Sequence, residues 1–178
     1  SYKSKTPDEY VFQRGDYRFS VLSSRIIRVE KDEKRIFTDE ATQTVICRDF
    51  DRPQFGFSQD NNKIVIKTDD IIFRFDLSKG KAESVTLKDS RCVTNFKAGN
   101  LKGTYRTLDM INGSVRLGDG LMSTNGVSVI DDSKTVIVST DGTLKERRHI
   151  QKDEYYFAFG NDFRGCLKDF FKLCGSVP

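Results

Sequence analysis

A single histidine, no C-x-x-C pair among four cysteines, and no long apolar run remove several function classes at once. A zinc site built from Cys and His needs closely spaced ligands. His149 and the scattered Cys47, Cys92, Cys166 and Cys174 do not provide them. No stretch approaches the ~18 apolar residues of a membrane-spanning helix. No G-x-S-x-G or C-G-x-C-W context surrounds a nucleophile, and no G-x-x-x-x-G-K-[ST] loop is present, so nucleophile–histidine and nucleotide chemistry have no support. No cofactor or metal is expected. There is also no uninterrupted basic stripe. Net charge is +4 with both signs interspersed, and the densest cluster, Lys145, Arg147, Arg148 and Lys152, is broken by Glu146 and Asp153. That pattern argues against a nucleic-acid partner and for a solvated face. Cys166 and Cys174 lie eight residues apart on an expected helix, about 12 Å along its axis and too far for a disulfide. A reduced, cytoplasmic protein is the expectation.

What is present is a series of short β-type runs in a chain of 178 residues, a length suited to one domain with a core. Residues 13–30 read as a strand pair, with Tyr17, Phe19 and Val21 alternating with Arg18 and Ser20. Further runs are Thr44-Val45-Ile46-Cys47, Phe55-Gly56-Phe57, Lys63-Ile64-Val65-Ile66-Lys67, Ile71-Ile72-Phe73-Arg74-Phe75 and Ser84-Val85-Thr86-Leu87. Val127-Ser128-Val129-Ile130, Thr135-Val136-Ile137-Val138 and Tyr155-Tyr156-Phe157-Ala158-Phe159 complete the series. Turn residues separate them at intervals of about 8–12, which predicts an all-β, antiparallel two-sheet sandwich. One helix is expected at the end, capped by Asn161 or Asp162. Phe163, Leu167, Phe170, Phe171 and Cys174 form its apolar face, and Gly175 stands at a left-handed C-terminal position.

The acidic pairs Asp69-Asp70 and Asp131-Asp132 sit between apolar β runs, where Asp stabilises turns, and neither reads as a catalytic carboxylate pair. His149 reads as a surface residue, and the aromatic runs as core. The long connection from Gly99 to Gly113 is different. It is polar, rich in glycine and without apolar period, the kind of segment that is functional or unstructured in a compact domain.

This connection and the motifs after it resemble the N-terminal β-sandwich of glycoside hydrolase family 31, the α-glucosidases and α-xylosidases. Asn100-Leu101-x-Gly103-Thr104-x-Arg106-Thr107-Leu108-Asp109 matches the family's N-L-x-G-T-x-R-T-L-D. Asn112-Gly113, Gly120-Leu121-x-Ser123 and Asp131-Asp132-Ser133 follow in the family's order. The tail from Tyr156 to Phe170, and then Leu173-Cys174-Gly175-Ser176-Val177-Pro178, is similar to the family's linker into its barrel. Val127, where an aromatic is common, and Gly165-Cys166 depart from the pattern and leave the preferred sugar open.

The resemblance implies a galactose-mutarotase-like sandwich over residues 1–160 and a linker helix over 161–178, leading to a (β/α)₈ catalytic barrel absent from this chain. It implies a domain that is not itself catalytic within a retaining α-glucosidase-type enzyme of carbohydrate metabolism. That domain packs on its own barrel and lends a loop to the pocket for an α-glucoside or oligosaccharide. Asp109 is the implied sugar-binding carboxylate, with Arg106 and Thr107 in support. Self-association through the helix is a further expectation. The competing reading is a free-standing carbohydrate-binding or structural module with no enzyme attached.

Overall fold

The computed structural model describes residues 2–103, 118–147 and 149–175. Its strands, in chain order, are β1 (Val11–Arg14), β2 (Tyr17–Ser23), β3 (Ile26–Asp32), β4 (Ala41–Thr42), β5 (Phe55–Asp60), β6 (Lys63–Thr68) and β7 (Ile71–Asp76). β8 (Lys81–Leu87), β9 (Cys92–Val93), β10 (Val127–Asp131), β11 (Ile137–Val138), β12 (Leu144–Lys145) and β13 (Ile150–Ala158) follow, and helix α1 (Phe163–Cys174) ends the described chain. Two five-stranded antiparallel sheets, ordered β1-β2-β3-β13-β10 and β5-β6-β7-β8-β9, form an all-β sandwich. A small third sheet, β12-β11-β4, was not foreseen.

Alternation explains the central core. Phe19, Val21, Ile27, Val29, Tyr156 and Ala158 point inward from the first sheet and meet Ile64, Ile66, Phe73, Phe75 and Val85 of the second. Phe75 takes both Phe19 (5.1 Å) and Tyr17 (5.2 Å) edge-on, and Phe73 takes Tyr156 the same way (5.1 Å). β6 buries one face only. β2 is buried almost throughout, because the first sheet is covered on both sides. At one end of its outer face, Leu22, Ile26, Tyr155, Phe157 and Phe159 pack under Val45, Phe50, Cys166 and Leu173.

The other end of that outer face is ionic and buried. Register places Arg18 opposite Glu30, and Glu30 opposite Asp153. Arg28 grips Asp153 with two hydrogen bonds of 2.8 and 2.9 Å and reaches Glu30 at 3.0 Å. Arg18 donates to Glu30 at 2.6 and 3.0 Å. Arg147 joins Asp153 (2.6 Å) to the Asp132 carbonyl (2.8 Å), and Asp132 accepts from Thr42 (2.8 Å) and Thr135 (2.6 Å). Glu30, Asp132 and Asp153 are each 0% exposed.

Four expectations are corrected here. The Arg147 side chain is only 3% exposed, so the basic cluster of residues 145–152 is only partly a solvated face. Asp131 does act in a turn, accepting the Ser133 amide, whereas Asp132 belongs mainly to the ionic cluster. The Thr44–Cys47 run is not a strand. The Thr42 amide bonds the Val45 carbonyl and the Thr42 hydroxyl takes the Val45 amide, while Ile46 and Cys47 both donate to the Leu173 carbonyl. Gly175 takes the positive φ expected of it, 85°, with an extended ψ of 159°. Finally, α1 is capped by Asp162 as anticipated, and Phe170 and Cys174 of the expected face pack on the outer core, but the residues it buries fully are Cys166 and Leu173, while Phe163, Leu167 and Phe171 stay exposed.

Two of the cysteines sit in this packing. All four are unpaired, and burial pushes the Cys166 and Cys174 thiols up to about 11 and about 12, so both stay protonated and inert.

Burial raises the Glu30 and Asp132 carboxyls. Desolvation also pushes on Asp153, but the charges of Arg28 and then Arg147 outweigh it and hold its carboxyl down at about 2. A carboxyl depressed from an unfolded value of about 3.9 contributes stability that is complete above that pH and is lost as pH falls toward 2. Asp153→Asn should therefore cost about 3–5 kcal/mol in urea denaturation at pH 7, because it leaves two buried guanidiniums with one carboxylate each, Arg28 with Glu30 and Arg147 with Asp132. The gap to the parent chain should shrink on titration from pH 4 toward 2. A loss below about 1 kcal/mol at pH 7 would show the cluster to be dispensable.

Candidate functional site

Beyond Tyr156 the inward face of β13 continues as Glu154 and Lys152, past the point where the two sheets stop touching. A concave groove of about 1330 Å³ opens there. Asp131, Val129, Lys152, Glu154 and Tyr156 line it from the first sheet, and Lys81, Ala82 and Glu83 from the second. Asn95, Phe96, Asn100 and Gly120 close one side.

Its polar groups are ordered by one another. The Tyr156 hydroxyl donates to Glu154 Oε2 at 2.7 Å, and Lys152 Nζ bridges both Glu154 oxygens at 3.1 Å. Burial, then the Glu154 charge, raises Tyr156 well above the ordinary phenol range, so it remains a neutral donor. Its ring meets Phe96 edge-on at 5.5 Å. Across the groove Lys63 bonds Asp76 (2.7 Å) and Glu83 (2.5 Å), and these bonds hold both carboxyls below their ordinary range. Carboxylates tied to lysines in this way are fixed acceptors rather than proton donors. Four lysines (79, 81, 97, 152) face four acids (Glu83, Asp119, Asp131, Glu154) in the lining. This balance, beside Phe96 and the aromatic body of Tyr156, suits a neutral ligand rich in hydroxyls better than an anion.

The groove's rim is also the base of the long connection. Asn100 pairs with Ser123 and Gly103 with Gly118 in an antiparallel stalk. The Asn100 side chain accepts from the Gly120 amide (2.8 Å) and donates to its carbonyl (2.9 Å). Leu101 donates to the Met122 carbonyl at 2.8 Å. Asn125 ties the preceding turn through the Asn95 and Ala98 carbonyls at 3.0 and 2.8 Å. Gly120 has no room for a side chain, since a Cβ there would run into the Leu101 carbonyl. Arg106, Thr107 and Asp109, together with Asn112-Gly113, lie outside the described residues.

The structure thus brings together the ends of the Gly-rich connection and a groove that sequence reasoning missed. Lys152-x-Glu154-x-Tyr156 carried the signal, as a period-two row running from the core face into solvent. His149 is exposed, and Asp70 accepts from Ser24 (2.5 Å) and pairs with Arg25 (3.4 Å) at the opposite, turn end of β7.

No family model matches the chain, and no curated protein matches it. Among solved structures, the family 31 dextranase of Flavobacterium johnsoniae in complex with glucose is similar at 15% identity and a TM-score of 0.48. The match covers 94% of this chain and 27% of that one. A variant of the same enzyme in complex with isomaltotriose gives 15% and 0.47 over the same shares. The family 31 α-xylosidase of Xanthomonas citri gives 13% and 0.34, over 68% of this chain and 10% of that one. The chain spans about a quarter of the dextranase's length.

Gly120→Ala should loosen the stalk without unfolding the sandwich. Hydrogen exchange should accelerate at residues 98–103 and 118–124, while amides of β6 and β7 keep their protection. Unchanged exchange in the stalk would show that the close approach at Leu101 is not a constraint.

Proposed function

We propose that this chain is a non-catalytic β-sandwich domain of a glycoside hydrolase related to family 31, acting on α-glucosides or their oligosaccharides. Residues 1–160 form the sandwich, and residues 161–178 are a linker helix toward a catalytic (β/α)₈ barrel. The observation that carries the reading is the Asn100–Ser123 stalk. It fixes both ends of the connection bearing the Asn100-to-Asp109 motif at the rim of a groove suited to hydroxyl-rich ligands. In this reading the sandwich packs on the barrel and lends the 100–113 loop to the sugar pocket. Asp109 accepts sugar hydroxyls, and Arg106 and Thr107 support it.

A second reading, a self-sufficient carbohydrate-binding module, is favoured by the groove itself, where Tyr156, Glu154 and Phe96 supply a donor–acceptor pair and an aromatic flank. Calorimetry of this chain with isomaltotriose separates the two. Binding tighter than about 10 μM, roughly −7 kcal/mol, favours the module. A lent loop without its catalytic partner should give no heat beyond dilution.

In the chain joined to its catalytic domain, Asp109→Ala should lower kcat/KM by roughly 10- to 1,000-fold, since charged hydrogen bonds contribute about 1.5–3 kcal/mol each. Thermal stability should move by less than about 0.5 kcal/mol. Asp141→Ala, which removes an exposed turn carboxylate outside the groove, should leave turnover intact. If Asp109→Ala, Arg106→Ala and Thr107→Ala all leave kcat/KM unchanged, the loop is a connector and the lent-loop reading fails.

A further inference from the structure

The free edge of the first sheet runs through the groove. β10 ends the order β1-β2-β3-β13-β10, and among the described residues no strand lies beyond it. Its register with β13 is unbroken, and the Asp132 amide donates to the Asp153 carbonyl at 2.8 Å. Bonded and non-bonded pairs alternate along an antiparallel ladder. Ser128 and Ile130 therefore bond β13, while Val127, Val129 and Asp131 turn their amides and carbonyls away from it. Asn125 Oδ1 takes the Val127 amide at 3.0 Å. The main-chain groups of Val129 and Asp131 are left at the edge, and both residues line the groove. Ile130 lines it too, although Val129 packs on the central core and Ile130 on the outer cluster. Successive side chains point to opposite faces, so the groove wraps around the edge of β10. On one side it reaches Lys81 and Ala82 of the second sheet, on the other Thr44 and Phe170 of the outer cover. That path crosses two interlayer spacings of about 10 Å, roughly 20 Å in all.

We propose that the groove binds a linear, uncharged oligosaccharide longer than a trisaccharide, laid across the edge of β10. This rests on the carbohydrate reading of the groove and adds the form of the ligand, an extended chain in place of a terminal sugar. Size carries the first part of the argument. A volume of about 1330 Å³ exceeds the roughly 300–1,000 Å³ of a small-molecule pocket, and one sugar ring would leave most of it to water. The edge carries the second part. A hydroxyl both donates and accepts, so a row of sugar hydroxyls can meet the amides and carbonyls of Val129 and Asp131 in turn. An added peptide strand draws its affinity from a ladder of main-chain bonds, and two residues offer only a short one. The lining acids and lysines balance, which favours an uncharged chain. The site is separate from the 100–113 loop and does not require that loop to reach a catalytic pocket.

The test titrates the isotope-labelled chain with isomaltoheptaose, maltoheptaose and the two matching trisaccharides, following amide resonances. One heptasaccharide or both should bind at least about tenfold tighter than the matching trisaccharide. Binding should shift the amides of Val129 and Asp131 together with those of Lys81 and Thr44, which lie on opposite sides of the edge. Lys81→Trp and Thr44→Trp fill opposite ends of the groove. Each should weaken heptasaccharide binding by about fivefold or more, while the amides of β6 and β7 keep their positions. Equal affinity for the two lengths, shifts confined to one side of the edge, or no heptasaccharide binding at millimolar concentration would overturn the proposal. So would a peptide of alternating valine and threonine that shifts Val129 and Asp131 when neither heptasaccharide does. The readout is binding by this chain alone. Its failure therefore leaves the lent-loop reading standing, since that reading is tested by Asp109→Ala kinetics in the joined chain.

Discussion

The ionic row across β2, β3 and β13 decides how the first sheet is assembled. A buried ion pair gains little net stability, because desolvation offsets most of its Coulomb energy, yet breaking one costs several kcal/mol. That asymmetry acts on register. Arg18, Glu30 and Asp153 meet only in the observed pairing, and a slip of one residue would turn every side chain of a strand to the opposite face. The charges would then enter the central core without partners, and Val29 and Tyr156 would leave it. The row thus penalises the alternatives more than it rewards the native state.

The groove inherits this constraint. Asp153 and Tyr155 face outward, so Lys152, Glu154 and Tyr156 must face inward, and the open end between the sheets is lined by a fixed donor–acceptor set. The cover on the outer face is tied in by equally specific bonds. Leu173 gives its carbonyl to Ile46 and Cys47, Asp162 caps the helix, and Arg25 bonds Asp162 at 2.8 Å while pairing with Asp70. Helix, outer cover and the β6–β7 turn are therefore linked through a few polar contacts in addition to the apolar cluster that Cys166 and Leu173 complete.

How much of this the sequence disclosed follows from what periodicity can encode. Tyr17, Phe19 and Val21, or Ile64 and Ile66, alternate over enough residues to fix both strand and face. β11 falls within the Thr135–Val138 run, but its partners β4 and β12 are two residues each and carry no period, so the third sheet was invisible. Asp132 and Arg147 misled in another way. A charge beside a β run looks like a solvent-facing residue unless its partners are known, and these partners lie as far as 90 positions away. The helix was found by its caps, but its apolar sector is wider than the sandwich covers, and composition cannot say which half is buried. At the candidate site the Gly-rich connection was legible, whereas the groove beside it was not, because sequence does not show where two sheets part.

In the proposed reading, the stalk and the groove divide the work of a binding site between rigidity and reach. Gly103–Gly118 and Asn100–Gly120 close the connection over a short span, so the 14 residues 104–117 cost loop-closure entropy that grows only slowly with length. Any contact made by Asp109 must still offset the ordering of its neighbours, which anchored ends reduce but do not remove. Glu154 and Tyr156 have no such cost, since Lys152 and the Phe73–Phe96 pair already hold them.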